Sequence, residues 1–263
     1  MEFRMNSTQR TSARWAITGA LVGALWVLMP LSMGEGNAWA NDEAQMILKR
    51  ADEVRFPREA FEVKVTIRTS VDGRSEVRLY KVLSRGNSAS LVMVTEPASE
   101  RGQILLMRER DLWLYLPNVS QPVRLSMAQR LTGQVANGDI ARANFAGDYV
   151  AELLGSEQLD GHAVHKLVLR AVDRGVTYQK VLYWVRQDNF WPSKAEFYTA
   201  SGRLLKSCTY EEFKTLGSQV RPTRLVMRDA LKADEVSVMV YEDLKLRDLP
   251  EKVFTKDYLK RLQ

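Results

Sequence analysis

From Phe61 to Arg68 the chain reads Phe-Glu-Val-Lys-Val-Thr-Ile-Arg, apolar at every odd position and polar at every even one. A period of two marks a strand with one dry face, so Phe61, Val63, Val65 and Ile67 are placed toward a core. Asp72-Gly73 then supplies a hairpin turn into a second strand over 75–83. Further strands are predicted at 88–94, 102–107 and 111–116, with Pro97 and Glu109-Arg110 at the turns. The same rhythm resumes at 149–159, 162–171, 177–185, 192–198, 204–213, 219–229 and 235–246. About eleven strands joined by short turns predict a mainly β protein with helices, an α+β chain whose antiparallel sheet curls into a barrel or an open half-barrel.

Between 116 and 149 the rhythm breaks. Asp111-Leu112-Trp113-Leu114-Tyr115-Leu116 is apolar on both alternating faces until Pro117 stops it, so both sides of that strand need covering. The following residues Met127, Leu131, Val135, Ile140, Ala143 and Phe145 have helical spacing, interrupted by Gly133, Gly138 and Gly147. Interrupted helical turns predict a mobile cover, 126–147, over an apolar concavity.

Helices are predicted at the two ends. Over 41–54, Asn41 can cap and Asp42 and Glu43 suit the positive end, while Ala44, Ile47, Leu48 and Ala51 form one apolar stripe that Arg55-Phe56-Pro57 closes. A last helix capped by Thr255 carries Tyr258, Leu259 and Leu262.

The first forty residues differ from all of this. Arg4, Arg10 and Arg14 precede an apolar run from Trp15 to Leu31, and Ala38-Trp39-Ala40 is a small-x-small site. The pattern is that of a cleavable export signal, with cleavage expected after Ala40 and a single domain over 41–263. An uncleaved anchor is the alternative, because the run approaches the ~20 residues that span a bilayer. Loss of the leader lowers the formal charge from +6 to +5. The remaining cations are dispersed among acidic residues, which lacks the clustered footprint of a nucleic-acid binder. With Cys208 as the only cysteine, an exported chain must fold on its core alone.

Catalytic sets are nearly absent. His162 and His165 lie three apart on a strand and so point to opposite faces, which makes them poor co-ligands for a metal. Cys208 sits among Leu205, Tyr210 and Phe213 and reads as a buried small hydrophobe. The pairs Glu211-Glu212, Asp234-Glu235 and Glu242-Asp243 are adjacent in strands or turns and point apart. No enzyme, cofactor or metal is implied by these residues.

What the chain does have is a surplus of adaptable apolar residues, including Met93, Met107, Met127, Met227, Met239, Trp113, Trp184, Trp191 and Phe197. Such walls accommodate ligands of irregular shape. The candidate lining of a hydrophobic cavity is Phe61, Val63, Val65, Ile67, Leu114, Leu116, Leu182, Trp184, Phe197, Leu225, Met227, Val238 and Val240. Met127, Leu131, Val135, Ile140 and Phe145 are the candidate lid contacts.

The ordered set Leu114-Tyr115-Leu116-Pro117, Pro122-Val123-Arg124 and Gly138-Asp139-Ile140-Ala141-Arg142-Ala143-Asn144-Phe145-Ala146-Gly147-Asp148-Tyr149 resembles the outer-membrane lipoprotein-sorting family, related to the LolA/LolB-type carriers. The likeness continues through Tyr183-Trp184-Val185-Arg186-Gln187-Asp188-Asn189-Phe190-Trp191-Pro192, Phe197-Tyr198-Thr199-Ala200-Ser201-Gly202-Arg203-Leu204-Leu205-Lys206 and Val253-Phe254-Thr255. The resemblance implies a LolA-like half-barrel with a helical lid, acting in the periplasm as a non-enzymatic carrier or chaperone of acylated lipoprotein or lipid. Its partners would be that cargo and an inner-membrane transporter or outer-membrane receptor, with no nucleic acid, and the chain is expected to be a monomer. Two rivals stand beside it: an interaction or sensor module that serves a membrane transporter as an adaptor, and a lipid-processing hydrolase.

Overall fold

The structure, a computed structural model, describes residues 35–259 apart from 143 and 233. The proposed leader falls mostly outside these residues. Among the described residues no helix is long and apolar enough to cross a membrane.

The chain opens with α1 (Glu35–Arg55) and continues through β1 (Phe61–Val71), β2 (Arg74–Arg85), β3 (Ala89–Glu96), β4 (Ile104–Arg108), β5 (Asp111–Tyr115) and β6 (Val123–Leu125). The segment expected to be the cover contains β7 (Arg130–Thr132), β8 (Val135–Ala136) and α2 (Asn137–Ala141). After it come β9 (Tyr149–Leu159), β10 (His162–Ala171), β11 (Lys180–Arg186), β12 (Pro192–Tyr198), β13 (Leu204–Leu216), β14 (Gln219–Asp229) and β15 (Val236–Leu246). A 3-10 turn (Glu251–Phe254) and α3 (Lys256–Leu259) close the described chain.

One antiparallel sheet of thirteen strands, in the order β6-β5-β4-β3-β2-β1-β15-β14-β13-β12-β11-β10-β9, forms the body of the molecule. It curls without closing, because β6 and β9 stand at opposite ends of that order. The count exceeds the expected eleven. The strand of this sheet that no predicted range covers is β6, of three residues and too short for alternation to reveal. The sheet is two meanders joined where β1 pairs with β15, with Phe61 opposite Leu246 and Ser70 opposite Val236.

Two predicted turns form as read. Asp72-Gly73 and Asp160-Gly161 both have positive φ at each residue, the backbone of a tight hairpin turn. Two expectations are corrected. Helix α1 begins at Glu35, so Asn41 lies inside it instead of capping it. Ala38 and Ala40 are strong helix formers, and they carry the helix back past that point. The cover is mainly a hairpin (β7 and β8) with one short helix, not a chain of helical turns. Gly133, at φ +50, makes the turn there, between the β-branched Thr132 and Val135.

The sheet is covered on its inner face, and at β3 to β5 on its outer face as well. The inner face packs against Ala44, Ile47, Leu48 and Ala51 of α1 and against the cover. On β3, β4 and β5 the opposite residues, Leu91, Ile104, Leu106 and Tyr115, face outward and pack against Val253, Phe254 and Leu259. This explains why residues 104–107 and 112–115 are apolar at odd and even positions alike: each face has its own cover. Thr255 acts as the predicted cap, its Oγ1 accepting the N–H of Tyr258 at 3.3 Å.

Candidate functional site: a covered trough

Alternation decides which side chains line the trough. Phe61, Val63, Val65 and Ile67 of β1, Phe197 of β12, and Leu225 and Met227 of β14 are buried in the inner cluster, and Leu114 of β5 packs against it half-buried. Leu116 is half-buried just past the end of β5. The other four candidates face the wrong way. On β11 the inward residues are Val181, Tyr183 and Val185, so Leu182 and Trp184 lie on the outer face. Trp184 is nonetheless buried there, with the ammonium groups of Lys166 and Lys194 at 5.1 and 4.8 Å from its ring centre and Glu157 accepting from its indole N–H. On β15 the inner cluster takes Met239 and Tyr241, which puts Val238 and Val240 outside. All five lid candidates reach the trough: Met127, Val135, Ile140 and Phe145 are buried in the inner cluster and Leu131 packs against it.

The interior is full. Helix α1 and the cover occupy the concavity that was expected to be hollow, leaving voids of about 20 Å³ beside Asp139, Tyr178 and Met227 and about 30 Å³ between Phe61, Val63, Val65, Val82, Met107 and Ile140. Each has room for about one water and not for an acyl chain. Phe56 and Pro57 border the larger void and also an outer groove of about 450 Å³ that runs past Lys49, Asp52, Arg58, Asn87 and Asn144. The trough thus has a mouth, apolar at its floor and polar at its rim.

Polar bonds hold the cover down at three places. At its tip, Gln134 N–H donates to Ser237 Oγ (2.9 Å), Gln134 Nε2 to Glu235 Oε2 (3.0 Å) and Arg78 to Thr132 Oγ1 (3.0 Å). Gly133 is required at this tip, since a Cβ would meet Ser237 Oγ at 2.3 Å and Thr69 Cγ2 at 2.4 Å. At its centre, the Asp139 carboxylate receives Lys206 Nζ (2.6 Å), Tyr178 Oη (2.9 Å) and Ala136 N–H (2.8 Å), while Ser90 Oγ donates to Ala141 O (2.7 Å). At its end, Arg142 spans both oxygens of Asp148 (2.6 and 2.9 Å) and donates to the carbonyls of Asn87 and Glu109. Ala146 N–H there donates to Asp52 Oδ2 of α1 (2.6 Å).

Several of these groups are charged and lie inside the core, which sequence reasoning missed. Lys206 is 4% exposed, with its ammonium 5.1 Å from the Tyr178 ring centre and 5.3 Å from that of Phe197. Arg55 is 7% exposed, paired with Asp52 at 3.2 Å and stacked over Phe145 at 4.2 Å. Burial pushes the Asp52 carboxyl up to about 6, against the opposing pull of Arg55 and two backbone N–H groups. Burial likewise raises the Cys208 thiol to about 12, as suits the inert small hydrophobe expected there. One signal for Lys206 was present: it shares the inward phase of β13 with Cys208 and Tyr210.

An open antiparallel half-barrel whose apolar inner face is closed by a helix and a strapped cover defines a class of lidded half-barrel folds. A solved structure of a LolA superfamily protein from Nitrosomonas europaea is 61% identical, with a TM-score of 0.78, covering 82% of this chain and 98% of that one. The chain belongs to the LolA superfamily. A family model described only as an uncharacterized protein matches residues 86–261. Two more distant structures share the fold. One, from Vibrio parahaemolyticus and described as an outer membrane lipoprotein-sorting protein domain, is 22% identical with a TM-score of 0.74, covering 84% of this chain and all of that one. The other, a DUF1329 family protein from Desulfovibrio piger, is 20% identical with a TM-score of 0.73, covering 84% and 99%. No curated protein matches the chain.

Proposed function

We propose that the protein is a periplasmic, non-enzymatic carrier or chaperone that shields the acyl chains of a lipoprotein or lipid beneath the cover and passes them toward the outer membrane. The observation that carries this reading is the mouth at Phe56 and Pro57, where the apolar floor of the trough meets the outer groove. An acyl chain entering there displaces Ile140 and takes its place beside Phe61, Val63 and Val65 of β1 and Met107 of β4. Burial stabilises such a complex by about 0.8 kcal/mol per methylene, so a partly enclosed chain reaches useful affinity. Because the trough is full when closed, uptake requires the cover to leave it.

The test is a disulfide that fixes the cover. Gly138 of α2 abuts Thr177, a Cβ at position 138 lying 3.0 Å from that of Thr177, so Gly138→Cys with Thr177→Cys can be bridged with a small adjustment. The oxidised variant should fail to take up a lipidated peptide that the reduced variant binds. Equal loading in both states removes the cover from the mechanism. The packed interior also supports a second reading, a LolA-fold adaptor or sensor that serves a membrane transporter and carries nothing. Mass spectrometry of protein purified from the periplasm separates the two, bound lipid favouring carriage and reproducible emptiness favouring the adaptor.

A further inference from the structure

The two halves of the trough are chemically unlike. Beneath Ile140 the floor from β1 to β5 is mainly aliphatic, with Val63, Val65, Ile67 and Val92 beside Phe61, Tyr80 and Met107. Beneath Phe145 and α2, the floor from β11 to β14 carries Tyr183, Cys208, Tyr210 and Met227, and with them the ammonium of Lys206. Among the described residues that ammonium has one carboxylate partner, Asp139, and Asp139 belongs to the cover. Its remaining contacts are the carbonyl of Gln134, which is also part of the cover, the sulfur of Met227 at 3.5 Å and the faces of Tyr178 and Phe197.

A cover that lifts takes both Asp139 and the Gln134 carbonyl with it. What stays on the floor is an ammonium stripped of its anion and of its carbonyl acceptor, flanked by the freed hydroxyl of Tyr178. An uncompensated charge in such surroundings is costly. A hydrocarbon chain entering the trough leaves that cost standing, whereas an anion at one end of the chain removes it. We propose that the trough selects anionic amphiphiles: the carboxylate or phosphate of the ligand takes the place of Asp139 on Lys206 and Tyr178, and the hydrocarbon tail lies along the aliphatic half. This rests on the acyl-binding reading above and adds the chemistry of the head. Asp139 is then an internal stand-in for the ligand, occupying the cation whenever the trough is empty.

Three probes of equal chain length test it: dodecanoate, dodecyl phosphate and dodecanol, each competing with the neutral fluorophore N-phenyl-1-naphthylamine below its aggregation concentration. A charge-assisted contact predicts that an anion displaces the fluorophore at a concentration on the order of tenfold below that of the alcohol. Dodecanoate ahead of dodecyl phosphate identifies a carboxylate head and the reverse order a phosphate, and either supports the proposal. The Asp139→Asn variant, which removes the stand-in, should widen the gap between anion and alcohol. The double variant Asp139→Asn, Lys206→Met, its fold checked by thermal melting, should bring the gap to about one while dodecanol still binds. Equal displacement by all three probes in the wild type overturns the proposal and leaves the acyl-binding reading intact, as does a gap that survives in the double variant. If none of the probes displaces the fluorophore, the acyl-binding reading falls and takes this one with it.

Discussion

A substitution at Gly133 tests directly whether the cover moves as a unit. Alanine there must adopt a φ of +50, and its Cβ would overlap Ser237 Oγ and both γ atoms of Thr69. The left-handed backbone alone costs roughly 1–2 kcal/mol for a residue with a Cβ. Relief of the overlap separates Gln134 N–H from Ser237 Oγ, which loses a buried hydrogen bond of about 1 kcal/mol. Together these raise the closed state by about 2–3 kcal/mol, an increase in local opening of roughly 30- to 150-fold. Hydrogen exchange reads this at the amides of Asn137 and Gly138, which donate to the carbonyls of Gln129 and Met127 within the cover. In Gly133→Ala those amides should exchange faster by that factor, while amides in the centres of β1, β2, β13 and β14 keep their wild-type rates. Uniform acceleration across the sheet, or none in the cover, refutes the idea of a cover that opens independently.

Other expectations concern the buried charges and the two cores. Asp52 has a folded pKa raised from 3.8 to about 6, so its favourable contribution is complete below about pH 4 and is lost as pH rises to about 6. That amounts to roughly 3 kcal/mol. In urea melts between pH 4 and 7, wild type should lose that much stability relative to Asp52→Asn, and parallel curves would contradict the assignment. Lys206→Met alone leaves Asp139 buried without its cation and should cost about 3–5 kcal/mol, most of it recovered in the double variant with Asp139→Asn. Phe254→Ala empties the centre of the outer core and should lower stability by about 3–5 kcal/mol in chemical denaturation. Cys208 should resist iodoacetamide at pH 8 in the folded protein and react once denaturant is added, as followed by mass spectrometry.

The sheet was legible wherever one face is wet. Strand β1 alternates cleanly from Phe61 to Arg68, and the four odd residues of that stretch lie inside. Strand β11 offers Val181, Leu182, Tyr183, Trp184 and Val185 in succession, and periodicity cannot choose a face there. Trp184 misled because the lysine side chains beside it bury an aromatic ring on the outside, as long amphipathic side chains do. On β15 the polarity is inverted: Ser237 points inward to accept from the tip of the cover, while Val238 and Val240 face outward. The charges under the cover drew no prediction, since a sequence does not show which carboxylate a distant lysine will meet. Asp139 and Lys206 are brought together only by the fold, 67 residues apart in the chain.

The segment over the trough is attached to the two rims of the sheet, leaving β6 at one end and entering β9 at the other. It is therefore a strap, not a flap on a single hinge, and it cannot swing clear while its ends stay fixed. Slack has to come from the rims drawing closer or from the hairpin at the tip paying out. The curvature of the whole half-barrel and the height of the strap are in this way one mechanical coordinate. A partner that grips the outside of either rim would tighten or loosen the trough without touching what lies inside.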